Sequence, residues 1–222
     1  MPPLKRPPTG EDVAVTCPVS PKAKGHENIE WNRLWAVHLT DASKGLPRAL
    51  LVGDSICEEY GGAVERTLAG KVNVDRWASS YCLTSPGYMD LLAASLAVAR
   101  YDVVHFNNGL HSLSSDRDLW EAKLEEAIRL VRRMQPQARI VLATSTPLRP
   151  ERLTVKVREL NERLFAVAGR QALPVNDLFA LLDPLDRQTE WSDDFHHKQP
   201  AKAKLAKQVS VRILESVDAM RP

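Results

Sequence analysis

The chain has 222 residues, 44% apolar and 26% charged, with a formal charge of +2 at pH 7, which suits one α/β domain with a sizeable core. So small a net charge, with no basic stripe interleaved with aromatics, excludes nucleic acid as an expected partner. No apolar run is long enough for a membrane span or a signal-peptide core, and Cys17, Cys57 and Cys82 lack metal-ligand spacing, so a reducing, cytoplasmic setting is expected.

Residues 1 to about 25 carry six of the fifteen prolines and almost no periodic apolar pattern; they read as a flexible arm, with a single domain over 26–222. From Glu27 to Leu39, the apolar positions Ile29, Trp31, Leu34, Trp35, Val37 and Leu39 suggest a short helix or docked segment, its tryptophans covering part of the core. Beyond Pro47 the chain alternates. Strands are expected at Ala49–Val52, Lys71–Arg76, Val103–Phe106, Ile140–Ala143 and Leu173–Asn176. Between them, helices are expected at Ile56–Leu68, Tyr88–Ala99, Asp116–Met134 and Val155–Gly169, and a last helix runs from about Pro200.

Short apolar strands separated by helices imply a parallel sheet covered on both faces. Ligands of such sheets gather outside the carboxyl ends of the strands. Gly53-Asp54-Ser55, Asn107-Asn108-Gly109 and Thr144-Ser145-Thr146 each follow a strand and so reach that edge.

Ser55 is the candidate nucleophile, because a tight turn at a strand end presents its hydroxyl and a following helix would aim N–H groups at a developing oxyanion. The competing reading is a helix N-cap, with Glu58 or Glu59 nearby. Near the other end, Asp193-Asp194-Phe195-His196 supplies a base and its orienting carboxylate in D-x-x-H spacing. The pair Asp194 and His197 has the same spacing, so the register is open. A metal site built from His111, His196, His197 and the aspartates is disfavoured, since adjacent histidines point apart and no H-E-x-x-H is present. Cys57 and Cys82 read as small buried thiols, and the G-x-S-x-G elbow is missing.

On these residues the chain resembles the SGNH (GDSL-type) hydrolases over roughly Pro47 to Ala219. Gly53, Asp54 and Ser55 match that family's first block, and Asp193 with His196 match its last. Ala201, standing where many members have glycine, favours that register. The resemblance implies a flavodoxin-like three-layer α/β/α sandwich with a five-stranded parallel sheet, and hydrolysis of esters or acetyl groups without a metal or other cofactor. The middle blocks depart from the pattern. Gly109 and His111 fall on the third block's G-x-N, so that histidine replaces the usual asparagine donor; alternatively Asn107 or Asn108 turns its amide into the site. In the second block Gly87, Ser85 or Ser80 is the candidate donor.

Together these residues imply a serine esterase or deacetylase for a small-molecule acyl ester, acetylated carbohydrate being the class the resemblance suggests. The alternative is a catalytically reduced binding module of the same fold. A phosphorylated cofactor is disfavoured, because no glycine-rich loop follows the first strand.

Overall fold

The computed structural model describes residues 29–39 and 45–220; the arm expected over 1–25 lies outside them. Strands β1 (Asn32–Trp35), β2 (Arg48–Gly53), β3 (Asn73–Ser79), β4 (Val103–Phe106), β5 (Arg139–Ala143) and β6 (Val175–Asn176) form one sheet, ordered β1-β3-β2-β4-β5-β6. Strands β2 to β6 are the five expected parallel strands, and β1 adds an antiparallel edge beside β3.

The helices are α1 (Ser55–Leu68), α2 (Tyr88–Leu96), α3 (Arg117–Met134), α4 (Glu151–Gln171), the short α5 (Leu178–Leu182) and α6 (Arg187–Glu190), and α7 (Gln199–Asp218). Alternate side chains of β2, β4 and β5 enter opposite cores. Leu50, Val52, Val104, Phe106, Ile140 and Leu142 pack with α2, α3 and α4. Ala49, Leu51, Val103, Val141 and Ala143 pack with α1, α5 and α7. Both faces are covered, which is why these strands read as continuous apolar runs rather than alternating ones. Each fully buried Leu, Val or Ile side chain contributes roughly 1.5–3 kcal/mol, so the three layers are held chiefly by these two cores.

Two expectations need correction. Of the two readings of the Glu27–Leu39 segment, the docked one holds and the helix does not: among its described residues, 29–39, the docked element is a strand, and just before it Trp31 donates its N–H to Ser80 Oγ at 2.8 Å and accepts from the Ser80 N–H at 3.1 Å. Its tryptophans lie outside both cores; Trp35 stacks under the Arg76 guanidinium at 4.5 Å, and Trp31 lies beside Arg33 at 5.4 Å. Further along, β3 runs on to Ser79 rather than stopping at Arg76, because Trp77 and Ala78 pair with Val52 and Gly53.

Asp75, fully buried on β3, ties the N-terminal segment to the sheet. It accepts two bonds from Arg48 Nη1 at 2.9 Å, one from the Val37 N–H at 2.9 Å and one from the Tyr101 hydroxyl at 3.1 Å. The chain leaves β2 toward β3 on one side and later returns to β4 on the other. That reversal opens a crevice at the carboxyl end of β2, which is where Ser55 stands.

Candidate active site

The turn after β2 is built for a close approach of helix to strand. A Cβ on Gly53 would lie 2.4 Å from Cys57 Cβ, so only glycine lets α1 start here. Asp54, 1% exposed, caps the helix by accepting from the Ile56 N–H at 3.0 Å. The capping role that competed for this motif therefore falls to Asp54 and leaves the Ser55 hydroxyl available. Ser55 is the first residue of α1, and its N–H is one of the four at a helix start without a helical carbonyl. Burial pushes the neighbouring Cys57 thiol up to about 12, so it stays protonated at neutral pH.

The structure brings Ser55, His196 and Asp193 together. His196 Nε2 lies 2.9 Å from Ser55 Oγ, and His196 Nδ1 lies 2.9 Å from Asp193 Oδ2. With Nδ1–H donating to the carboxylate, Nε2 presents a lone pair to the serine hydroxyl. Asp193 Oδ1 also accepts the N–H groups of Phe195 and His196, both at 2.8 Å. Burial works against the charge of Asp193, but these backbone donors and the imidazole outweigh it and hold the carboxyl at about 2. The site is open, with the His196 side chain 37% and the Asp193 side chain 54% exposed.

The duplicate frame, Asp194 and His197, is occupied elsewhere. Asp194 Oδ1 accepts from Arg149 Nη2 at 2.8 Å, and its carbonyl accepts the Arg149 N–H at 3.0 Å. His197 is fully buried, and its Nδ1 lies 3.1 Å from Glu59 Oε2, with the ring edge-on to Trp191. His196 and His197 thus turn to different partners, and among the described residues no three His, Cys, Asp or Glu side chains cluster as metal ligands.

The expected oxyanion donors fare differently. Asn108 joins two strand-end loops: its Oδ1 accepts the Leu83 N–H and the Ser112 hydroxyl, each at 3.0 Å, and its Nδ2 donates to the Tyr81 carbonyl at 3.0 Å. Asn107 Nδ2 donates to the Ala143 carbonyl at 2.7 Å. Gly109 packs on the next loop, where a Cβ would fall 1.6 Å from Ser145 Oγ. His111 lies half-buried in the 3-10 turn Leu110–Ser112, its ring edge-on to Trp31 at 6.5 Å between centroids. Gly87 lies exposed before α2 with φ +80°, a conformation that by itself accounts for glycine there. Ser80 is engaged with Trp31 and Glu30, and Ser85 with Cys82.

Three contributors escaped the sequence reading. Glu59 lies one helical turn after Ser55, is mostly buried, and accepts from His197 and from Lys202 Nζ at 3.0 Å. Burial raises its pKa, but the bonds from His197 and Lys202 outweigh that and leave it below the usual carboxylate range. Arg149 holds Asp194, as above. Trp31, just before the added edge strand, reaches the His111 ring, while Arg33 beside it pairs with Glu58 at 2.5 Å. The spacing of Ser55 and Glu59 was visible, but it looked like helix-start chemistry.

No family model matches the chain, and no curated protein does. Solved structures do match. A member of the lipolytic protein G-D-S-L family from Veillonella parvula is 18% identical with a TM-score of 0.63, over 73% of this chain and 95% of that one. A carbohydrate esterase family 3 protein from Talaromyces cellulolyticus is 14% identical with a TM-score of 0.66, over 78% and 99%. An acetyl esterase variant solved with an acetate ion is 13% identical with a TM-score of 0.65, over 79% and 100%. The chain has the three-layer α/β/α fold of the SGNH (GDSL-type) hydrolases, with β1 as an antiparallel addition.

Proposed function

We propose that this chain, with its SGNH-hydrolase fold, is a serine ester hydrolase that works through an acyl-enzyme on a small acylated substrate. The observation that supports this reading is the continuous hydrogen-bonded chain Asp193–His196–Ser55, two links of 2.9 Å that join the start of α1 to a loop 141 residues further along the sequence. A serine hydroxyl is too weak a nucleophile alone at neutral pH, and a base at that distance removes the difficulty.

In the proposed reaction Ser55 Oγ attacks the acyl carbonyl while its proton passes to His196 Nε2. Asp193 holds the ring in the tautomer that accepts this proton and stabilises the imidazolium that results. The carbonyl oxygen becomes an oxyanion, received by the Ser55 N–H at the start of α1, with His111, in the turn after β4, as the side-chain donor the sequence offers. Each such donor is worth on the order of 3 kcal/mol of barrier. His196 then gives its proton to the leaving alcohol as the C–O bond breaks. A water molecule repeats the cycle on the acyl-enzyme, releasing the acid and restoring Ser55.

An acetylated carbohydrate is the substrate class favoured, from the fold shared with a carbohydrate esterase and an acetyl esterase. A burst of p-nitrophenol from p-nitrophenyl acetate, absent in Ser55→Ala, tests the reading. One observation favours a second reading, a ligand-binding module with reduced chemistry: the Asn108 amide is engaged by the Tyr81 carbonyl. No burst, together with no turnover of any short acyl ester, would select that alternative.

A further inference from the structure

The loop that carries His196 and the helix that carries Ser55 are joined by a second contact, beside the one between those two residues. On α1, Ser55 and Glu59 are four residues apart and share one helix face, one turn from each other. On the facing loop, His196 and His197 are consecutive. His196 meets Ser55, and His197 meets Glu59 with both its backbone N–H (3.3 Å to each carboxylate oxygen) and its ring Nδ1 (3.1 Å). Two adjacent residues of the loop are therefore matched to two successive turns of the nucleophile helix.

The second contact is the rigid one. His197 is 0% exposed and the Glu59 side chain 11%, whereas the His196 side chain is 37% exposed. Lys202, in the first turn of α7, adds its ammonium to the same Glu59 carboxylate. The far side of the loop is tied by the Trp191 indole N–H to the Pro147 carbonyl at 3.2 Å and by Arg149 to Asp194. Those ties fix the loop to the turn after β5; Glu59 fixes it to the helix that carries Ser55.

We propose that Glu59 is a positioning residue: by clamping His197 and Lys202 to α1, it sets the separation between His196 Nε2 and Ser55 Oγ. This rests on the esterase reading for its catalytic consequence, but its geometric content stands apart from it. Glu59 touches neither reacting group, and acts through the residue next to the base. A carboxylate is required because it must accept from two N–H groups and an ammonium together; an amide offers one acceptor oxygen in place of two.

The test uses the full chain and two readouts. One is the low-field NMR signal of the His196 ring proton bonded to Asp193, assigned by its loss in His196→Gln; the other is p-nitrophenyl acetate kinetics. Glu59→Gln is expected to broaden or abolish the ring-proton signal while near-UV circular dichroism is retained. It is also expected to lower kcat about ten- to a hundredfold with little change in KM, since a misplacement of about 1 Å costs on the order of a hundredfold. A folded Glu59→Gln that keeps both the signal and kcat overturns the inference. If the wild-type protein has no esterase activity but Glu59→Gln still displaces the ring proton, the positioning stands and the esterase reading falls. Should Glu59→Gln fail to fold, Lys202→Met, at a partly exposed position, removes one of the three donors. A lower kcat and a broadened signal are then expected, and an unchanged signal overturns the inference.

Discussion

Arg149 holds Asp194 at 2.8 Å, so that of two identically spaced Asp–His frames the second has its aspartate turned away from the serine. With Asp194 turned toward the loop after β5 and His197 buried against Glu59, Asp193 and His196 are left to meet Ser55. Neighbouring aspartates should therefore behave very differently. Asp193→Asn loses the carboxylate that orients the ring, and kcat on p-nitrophenyl acetate should fall about 10⁴-fold. Asp194→Asn removes a half-exposed pair worth at most about 1 kcal/mol, and kcat should change by less than about threefold. Equal losses in the two variants would contradict the assignment.

Asp193 also predicts a pH effect with a definite sign. Its folded pKa of about 2 lies below the ordinary value of about 3.9. Its contribution is thus complete above pH 4 and lost as pH falls through about 2. Urea midpoints of wild type and Asp193→Asn should differ at pH 5 and converge toward pH 2. The side chain is half-exposed, so the difference will be small; a gap that widens in acid would be the wrong sign.

His105 gives the opposite kind of group, a base buried without charge. It is 0% exposed in β4, bonded at 3.0 Å to Asn176, and burial, with a smaller effect from Arg212, lowers its pKa to about 4. The unfolded chain binds this proton near pH 6.5, so stability is full above that value and declines until pH reaches about 4. The loss from this one group is on the order of 3 kcal/mol. In His105→Gln, chemical denaturation between pH 7 and 4 should show a correspondingly shallower decline than in wild type. Parallel declines would remove His105 as the cause.

Two candidate oxyanion donors can be separated by what each substitution damages. Asn108→Ala removes a partner from the Ser112 hydroxyl and the Tyr81 carbonyl and leaves the Leu83 N–H only its longer bond to Ser112 Oγ, at roughly 1–3 kcal/mol for each buried group left unsatisfied. Its main effect should be a lower unfolding midpoint. His111→Ala should leave that midpoint within a few degrees and lower kcat on the order of a hundredfold. Unchanged kcat in His111→Ala would remove it from the proposed oxyanion hole.

Strands β2, β4 and β5 were legible because each is buried on both faces and reads as a largely apolar run; β3, with Asn73, Asp75, Arg76 and Ser79, was read too short. β1 was not legible. Three of its four residues, Asn32, Arg33 and Leu34, are exposed, and what makes them a strand is the edge of β3 more than forty residues away. The short helices α5 and α6 were missed for want of length, since four or five residues display no period. Ser55 and His196 could be found because a strand-terminal hydroxyl and a D-x-x-H ahead of the last helix are local patterns. Glu59 could not, because its meaning depends on a partner 138 residues distant; four positions after Ser55 it looks like any acid near a helix start. Between the two Asp–His frames the sequence offered only the register of Ala201, since the partners that hold Asp194 and His197, Arg149 and Glu59, lie far away in the chain.

Labelling with a fluorophosphonate followed by peptide mapping tests the proposed chemistry most directly. The modification is expected on Ser55 alone, abolished in Ser55→Ala and slowed at least about a thousandfold in His196→Ala. A label carried by another residue, or an undiminished rate in His196→Ala, would contradict the proposal that this imidazole activates this serine.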